Sequence, residues 1–208
     1  MSAPTYPLTM PTAPSFVTSE FTLRRAVSVS ESIFTGQQKV YEHSTALWTA
    51  VLTLPPMKRN QAALWHAFYM KLHGRKGTFL VGDPDGKNPQ GSISGAVTVN
   101  GDHTKGDYTI DLTTAQASEV GQFKAGDYLQ FGSGADAKLH MVVEDADSDS
   151  SSETTVTIEP ALKADLSSGT SVTYTNAKGV FRMTTNELGW TANNMSVYGL
   201  SFNCVEAI

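Results

Sequence analysis

The chain has 208 residues, enough for one large domain or two small ones that each bury a core. Hydrophobic residues make up 40% and charged residues 17%, with 17 glycines, which excludes a disordered chain and favours turn-rich sheet over helix. A formal net charge of -5 argues against ordinary nucleic-acid binding, and the single cysteine, Cys204, excludes an intrachain disulfide and a Cys-rich zinc site.

The opening segment MSAPTYPLTMPTAPSF lacks the basic start and apolar run of a signal peptide. No stretch approaches the roughly 20 apolar residues that span a bilayer, so a soluble chain made in a cytoplasm, with no membrane insertion, is expected. Pro4, Pro7, Pro11 and Pro14 make residues 1–19 an extended arm unable to pack as helix or central strand. Something such as a neighbouring subunit is then needed to hold it.

From Glu20 to Phe34 the apolar Phe21, Leu23, Val27, Val29 and Ile33 alternate with polar residues, which predicts a long half-buried strand. Thr35 to Gln38 supply a turn, and a second run places Trp48, Ala50, Leu52 and Leu54 on one face, completing a long hairpin. Pro55 and Pro56 are expected to stop that strand, because proline cannot donate to a ladder. Between Lys58 and His73 the period changes: Ala62, Trp65, Phe68, Tyr69 and Leu72 recur at helical steps, with Gly74 the expected C-cap. A short buried strand follows from Gly77 to Gly82.

The turn-forming run Asp83 to Gly91 marks where the chain leaves its first domain. Short strands are predicted at Ala96 to Val99, Tyr108 to Leu112, Tyr128 to Phe131, Leu139 to Glu144, Thr154 to Glu159 and Ser171 to Tyr174, a spacing that suggests a small barrel or sandwich. Beyond Gly179 longer strands return, Val180 to Thr184 and Met195 to Val205, around a turn near Asn193 and Asn194. An isolated hairpin is marginal, so the last strands must pair back with the first. The expected fold is mainly β: a discontinuous hub of residues 20–84 and 179–208, an antiparallel sheet, split barrel or sandwich with one helix, carrying an inserted all-β barrel or sandwich of residues 85–178. Its core is to contain Trp48, Leu52, Trp65, Phe68, Leu72, Phe79, Phe181, Tyr198 and Phe202.

No catalytic, metal or cofactor site emerges. Asp145, Asp147 and Asp149 alternate like the first ligands of a calcium loop, but Ser150 and Val156 stand where the glycine and bidentate glutamate belong, leaving an acidic turn. Asp83 and Asp85 beside Gly86 read as a simple turn as well. His66 and His73 sit about two helical turns from each other, too far for a zincin pair, while His43, His103 and His140 are scattered. Cys204 lies on a strand, where a buried small hydrophobe is its expected role. Nothing else converges into a nucleophile with a base, so no enzyme is expected.

The block Leu54-Pro-Pro-Met57, the Trp/Phe-bearing helix and Gly74-Arg-Lys-Gly-Thr-Phe-Leu-Val-Gly-Asp-Pro84 resemble distal tail proteins and related tail-tip proteins of long-tailed bacteriophages. At the other end, Gly179-Val-Phe-Arg-Met183, Asn186-Glu187, Trp190, Tyr198-Gly-Leu-Ser-Phe202 and Val205-Glu-Ala207 look like the returning strands of that family, and Lys124 to Gly132 like its insertion. The resemblance implies a virion structural protein made in the host bacterial cytoplasm. It forms a ring, usually hexameric, at the distal end of the tail tube or baseplate, contacts the tail tube protein and the tail-tip hub protein, and encloses a channel through which DNA passes without specific binding. Thr22, Arg24, Ser28 and Ser30, on the polar face of the first hairpin strand, are the lumen-facing candidates, with the apolar face covering the helix. The alternative is a carbohydrate- or receptor-binding module, motivated by Tyr108, Tyr128 and Tyr174 on the insertion.

Overall fold

The computed structural model describes residues 4–192 and 197–208, so the turn at Asn193 and Asn194 and the strand start at Met195 lie outside the described residues. The alternating segments after the arm form a hairpin of β1 (Thr18–Glu31) and β2 (Gln38–Lys58), paired antiparallel from Thr18 opposite Thr53 to Glu31 opposite Gln38. At its turn Gly36 adopts φ 66°, which costs a glycine nothing, and its N–H donates to the Ser32 carbonyl at 2.8 Å. The register shifts between Arg25 and Val27.

β2 does not stop at Pro55 and Pro56, as expected, but continues to Lys58. β1 has ended by then, so on that side no ladder asks for the missing N–H groups. On the other side the pairing with β12 (Val197–Glu206) skips between Tyr198 opposite Met57 and Leu200 opposite Leu54, an irregularity that takes up both prolines.

Helix α1 (Arg59–Leu72) buries Ala62, Trp65, Phe68, Tyr69 and Leu72 on one face. Its left-handed cap is His73, φ 52°, one residue before the expected Gly74, which is itself left-handed at φ 68°. Glycine is needed at 74 for a second reason: a Cβ there would come within 2.9 Å of Asn186 Oδ1, the atom that accepts the Arg75 N–H. β3 (Thr78–Val81), β10 (Gly179–Met183) and β12 then complete an antiparallel sheet in the order β1-β2-β12-β10-β3, with β11 (Thr191–Ala192) paired to β12. The C-terminal strand therefore lies inside the sheet, between β2 from the start of the chain and β10 from its end. This sheet curls, for the rings of Phe21 on β1 and Phe181 on β10 meet at 6.2 Å across two intervening strands.

The N-terminal arm is held by its own chain rather than left for a neighbour. Leu8 bridges Phe79 in parallel and donates its N–H to the Thr78 carbonyl, Tyr6 OH donates to the Lys71 carbonyl, and Phe16 packs 5.7 Å from Trp65. Prolines bar the arm from a central strand but not from the outer edge of β3, which is where it lies.

Between β3 and β10 the chain builds a second sheet from β4 (Thr98–Val99), β5 (Thr109–Thr113), β6 (Tyr128–Phe131), β7 (Lys138–Val142), β8 (Glu153–Glu159) and β9 (Val172–Thr173), in the order β4-β5-β8-β7-β6-β9. Val172 N–H donates to the Val97 carbonyl and Val99 N–H to the Thr170 carbonyl, bringing β9 back against β4 so that the sheet nearly closes into a barrel. Ile110, Leu112, Leu129, Val156 and Ile158 fill it. Where the chain enters and leaves, Gly82 lies so close to the Ala177 carbonyl that a Cβ would collide with it.

Candidate functional site

Two features distinguish this molecule from a sealed pair of cores. The first is the outer half of the hairpin. Past the register shift at Arg25, β1 and β2 pair with each other alone, and Val27, Val29, Val40 and Tyr41 are exposed. At the turn Ile33 is 96% and Phe34 97% exposed. The expectation that the apolar face covers the helix thus fails at Val27 and Val29: alternation picked out residues of one face, but among the described residues nothing covers them. Val27, Val29 and Val40 share one face of this ladder, while Tyr41, opposite Ser28, lies on the other; apolar surface left in water is unfavourable by about 25 cal/mol per Å².

The second feature is the buried polar junction that fixes the barrel to the curled sheet. The Lys163 ammonium binds both carboxylate oxygens of Glu206, with the two side chains 6% and 0% exposed. Glu206 also accepts the Trp48 backbone N–H at 3.1 Å, and the Leu139 carbonyl accepts both the Trp48 indole N–H at 3.0 Å and Lys163. Burial lowers the Lys163 pKa while Glu206 opposes that shift. Beside it His140 is fully enclosed, its Nδ1 against the Pro160 carbonyl at 2.7 Å, and burial followed by the field of Lys163 pulls its pKa down to about 3. Arg25 adds an outer strut, bridging Glu42 on the hairpin at 3.3 Å and Glu159 on the barrel at 2.5 Å. Between these groups a groove of about 490 Å³ runs past His43, Lys105, Tyr108 and Leu162.

Of the lumen candidates, Thr22 and Arg24 are exposed on the convex side of the sheet, while Ser28 and Ser30 are exposed on the ribbon, beyond the register shift. The four are thus two pairs on either side of an irregularity. Trp48, Leu52, Trp65, Phe68, Leu72, Phe79, Phe181 and Phe202 are buried in one cluster, and Tyr198 is half-buried against it. Sequence reasoning missed that Tyr128 and Leu139 of the barrel join this same cluster. It missed Glu206 too, although Glu206 alternates with Phe202 and Cys204 and so belongs to the core face.

Tyr128 is not an exposed binding tyrosine: it is 7% exposed, its ring 6.1 Å from that of Trp48, its OH donating to Asp83, and burial raises its pKa. Tyr174 is tied to the Gly95 carbonyl at 2.8 Å, and Tyr108 alone stays open, at the groove. Asp145 accepts from Lys124 and the Ala125 N–H, Asp147 from the Gly121 N–H, and Asp149 from the Ser151 and Glu153 N–H groups, so each carboxylate holds a turn of its own. Asp83 likewise accepts the Asp85 N–H. His66 stacks on Trp190 at 4.1 Å, and His103 Nε2 lies between the Asn100 carbonyl and the Asp111 N–H. Cys204 is buried, with its thiol pushed up to about 12. Among the described residues no three His, Cys, Asp or Glu side chains converge as a metal site, and no helix is long and apolar enough to cross a membrane.

No protein-family model matches the chain, and no curated protein matches its sequence.

Proposed function

We propose that this chain is a non-enzymatic virion structural protein of a bacteriophage tail tip. It forms a closed, hexameric ring at the distal end of the tail tube, joins the tube protein to the tip hub, and surrounds the channel through which DNA passes. The observation that carries this reading is the projecting ribbon with Val27, Val29, Ile33, Phe34, Val40 and Tyr41 uncovered. A monomer gains nothing from ordering such a hairpin, whereas a subunit that must offer complementary edges does. Support also comes from the buried junction, which would hold the barrel at a fixed angle outside the ring, and from the net charge of -5, which would let DNA pass without sticking. Sedimentation and native mass measurement of the purified chain test it. A discrete closed oligomer is expected, and a monomer at every concentration, even with tube and hub partners added, would sink it.

A second reading keeps one observation. Tyr108 stands open beside the 490 Å³ groove, as a sugar-stacking side chain would. Probing a glycan array with the whole chain, and with Tyr108→Ala, decides it: binding lost in the variant supports a receptor-binding role, and no binding leaves the barrel a spacer.

A further inference from the structure

The hairpin turn is a preformed knob. Its backbone is braced internally, Ser32 N–H to the Gln37 carbonyl, Gly36 N–H to the Ser32 carbonyl and Thr35 N–H to Ser32 Oγ, so docking it costs little ordering entropy. Two large apolar side chains, Ile33 and Phe34, cap it, and the Glu31 carboxylate stands at its base. The five residues from Val27 to Glu31 carry it about 17 Å beyond Ala26 at the rise of an extended strand, ~3.4 Å per residue.

At the other edge of the same sheet lies a cavity of about 380 Å³ between the N-terminal arm and the end of β3. Met10, Pro11, Phe16, Leu80 and Pro84 wall it, and Trp65 lies at its base with an indole N–H that is buried and has no acceptor among the described residues. Among the described residues, the charged ones that line it are Lys87 and Lys178. Ligand cavities start at about 300 Å³, so this one suits a pair of side chains better than a large cofactor. Ile33 and Phe34 cap the free end of the hairpin, whereas the cavity lies between the arm and the end of β3, so knob and cavity are two different patches of one subunit. A head-to-tail contact, the kind that closes a ring, needs that placement.

We infer that Ile33 and Phe34 of one copy dock in the arm cavity of the next copy, with Glu31 facing Lys87 and Lys178. The inference rests on the ring reading and names its contact. The proline-rich arm thereby acquires a role: it forms one wall of the socket.

The test uses the full chain, in which the native Cys204 is buried. Phe34→Cys is mixed with Thr12→Cys, on the cavity wall, and in parallel with Ser150→Cys, on an exposed barrel turn, after circular dichroism has confirmed that each variant is folded. Under mild oxidation the first mixture is expected to give a mixed disulfide dimer and the second none. Phe34→Ala should weaken association about tenfold or more, as loss of an interface anchor does. Glu31→Lys should weaken it as well, and Lys87→Glu with Lys178→Glu in the partner copy should restore it. An oligomer that forms without the Phe34 to Thr12 cross-link overturns the contact while leaving the ring intact. A chain that never associates overturns both.

Discussion

Replacing Glu206 by glutamine removes the countercharge of Lys163 without changing shape, and leaves an ammonium that is 6% exposed facing the neutral carbonyl oxygens of Leu139 and the new amide. Breaking one side of a buried ion pair costs about 3–5 kcal/mol, because the remaining charge keeps its desolvation penalty and loses its attraction. For a chain of this size each kcal/mol moves the unfolding midpoint by about 2–4 °C, so a fall of roughly 6–20 °C is expected by calorimetry. Lys163→Met should cost a similar amount, since it strands the Glu206 carboxylate. The double variant should recover about 1–3 kcal/mol against the summed single costs, because no buried charge remains and the glutamine carbonyl still accepts the Trp48 N–H. The deficit of Glu206→Gln should also depend on pH with a definite sign. Burial lowers and Glu206 raises the Lys163 pKa in the folded parent, so without Glu206 it falls further below its ordinary 10.5, and as pH climbs towards 10.5 the variant gains more stability than the parent. The deficit therefore shrinks in alkaline solution. Strictly additive single and double variants, or a deficit flat with pH, would refute the reasoning that these two side chains form one coupled, water-excluded junction.

Three further outcomes are expected. Ile33→Ser and Phe34→Ser should leave the unfolding midpoint of the dilute monomer within about 0.5 kcal/mol of the parent while weakening its association, since both side chains are almost fully exposed in the single subunit. Gly82→Ala should cost about 1–3 kcal/mol in denaturant titration, because the new methyl must displace the backbone at the Ala177 carbonyl. His140 has a folded pKa of about 3 against an ordinary 6.5, so its contribution to stability is complete above 6.5 and is lost as pH falls towards 3. Urea titrations across that range should show a shallower acid limb for His140→Gln, and an unchanged limb would contradict the burial of a neutral imidazole there.

Much of the fold is legible in the residues because period-2 and helical patterns are local. All six barrel strands, the helix and the return of the last strand were within reach of that reasoning. Pro55 and Pro56 were misleading because the rule against proline in a ladder depends on whether a partner strand is present, and the ending of β1 near Thr18 is a tertiary fact. Alternation likewise says which side chains share a face, as for Val27 and Val29, but not whether anything covers them. Glu206 could have been flagged from its parity with Cys204. Its partner could not, since Lys163 stands 43 residues away in a loop with no pattern of its own. The arm cavity was equally hidden, because composition bars the arm from central strands without indicating which edge it will follow.

Assembly at the end of a tail tube is the central claim, and electron microscopy of the purified chain mixed with preformed tubes tests it most directly. A ring with an open central channel capping one end of each tube is the predicted image. Bare tube ends beside dispersed single subunits would contradict it.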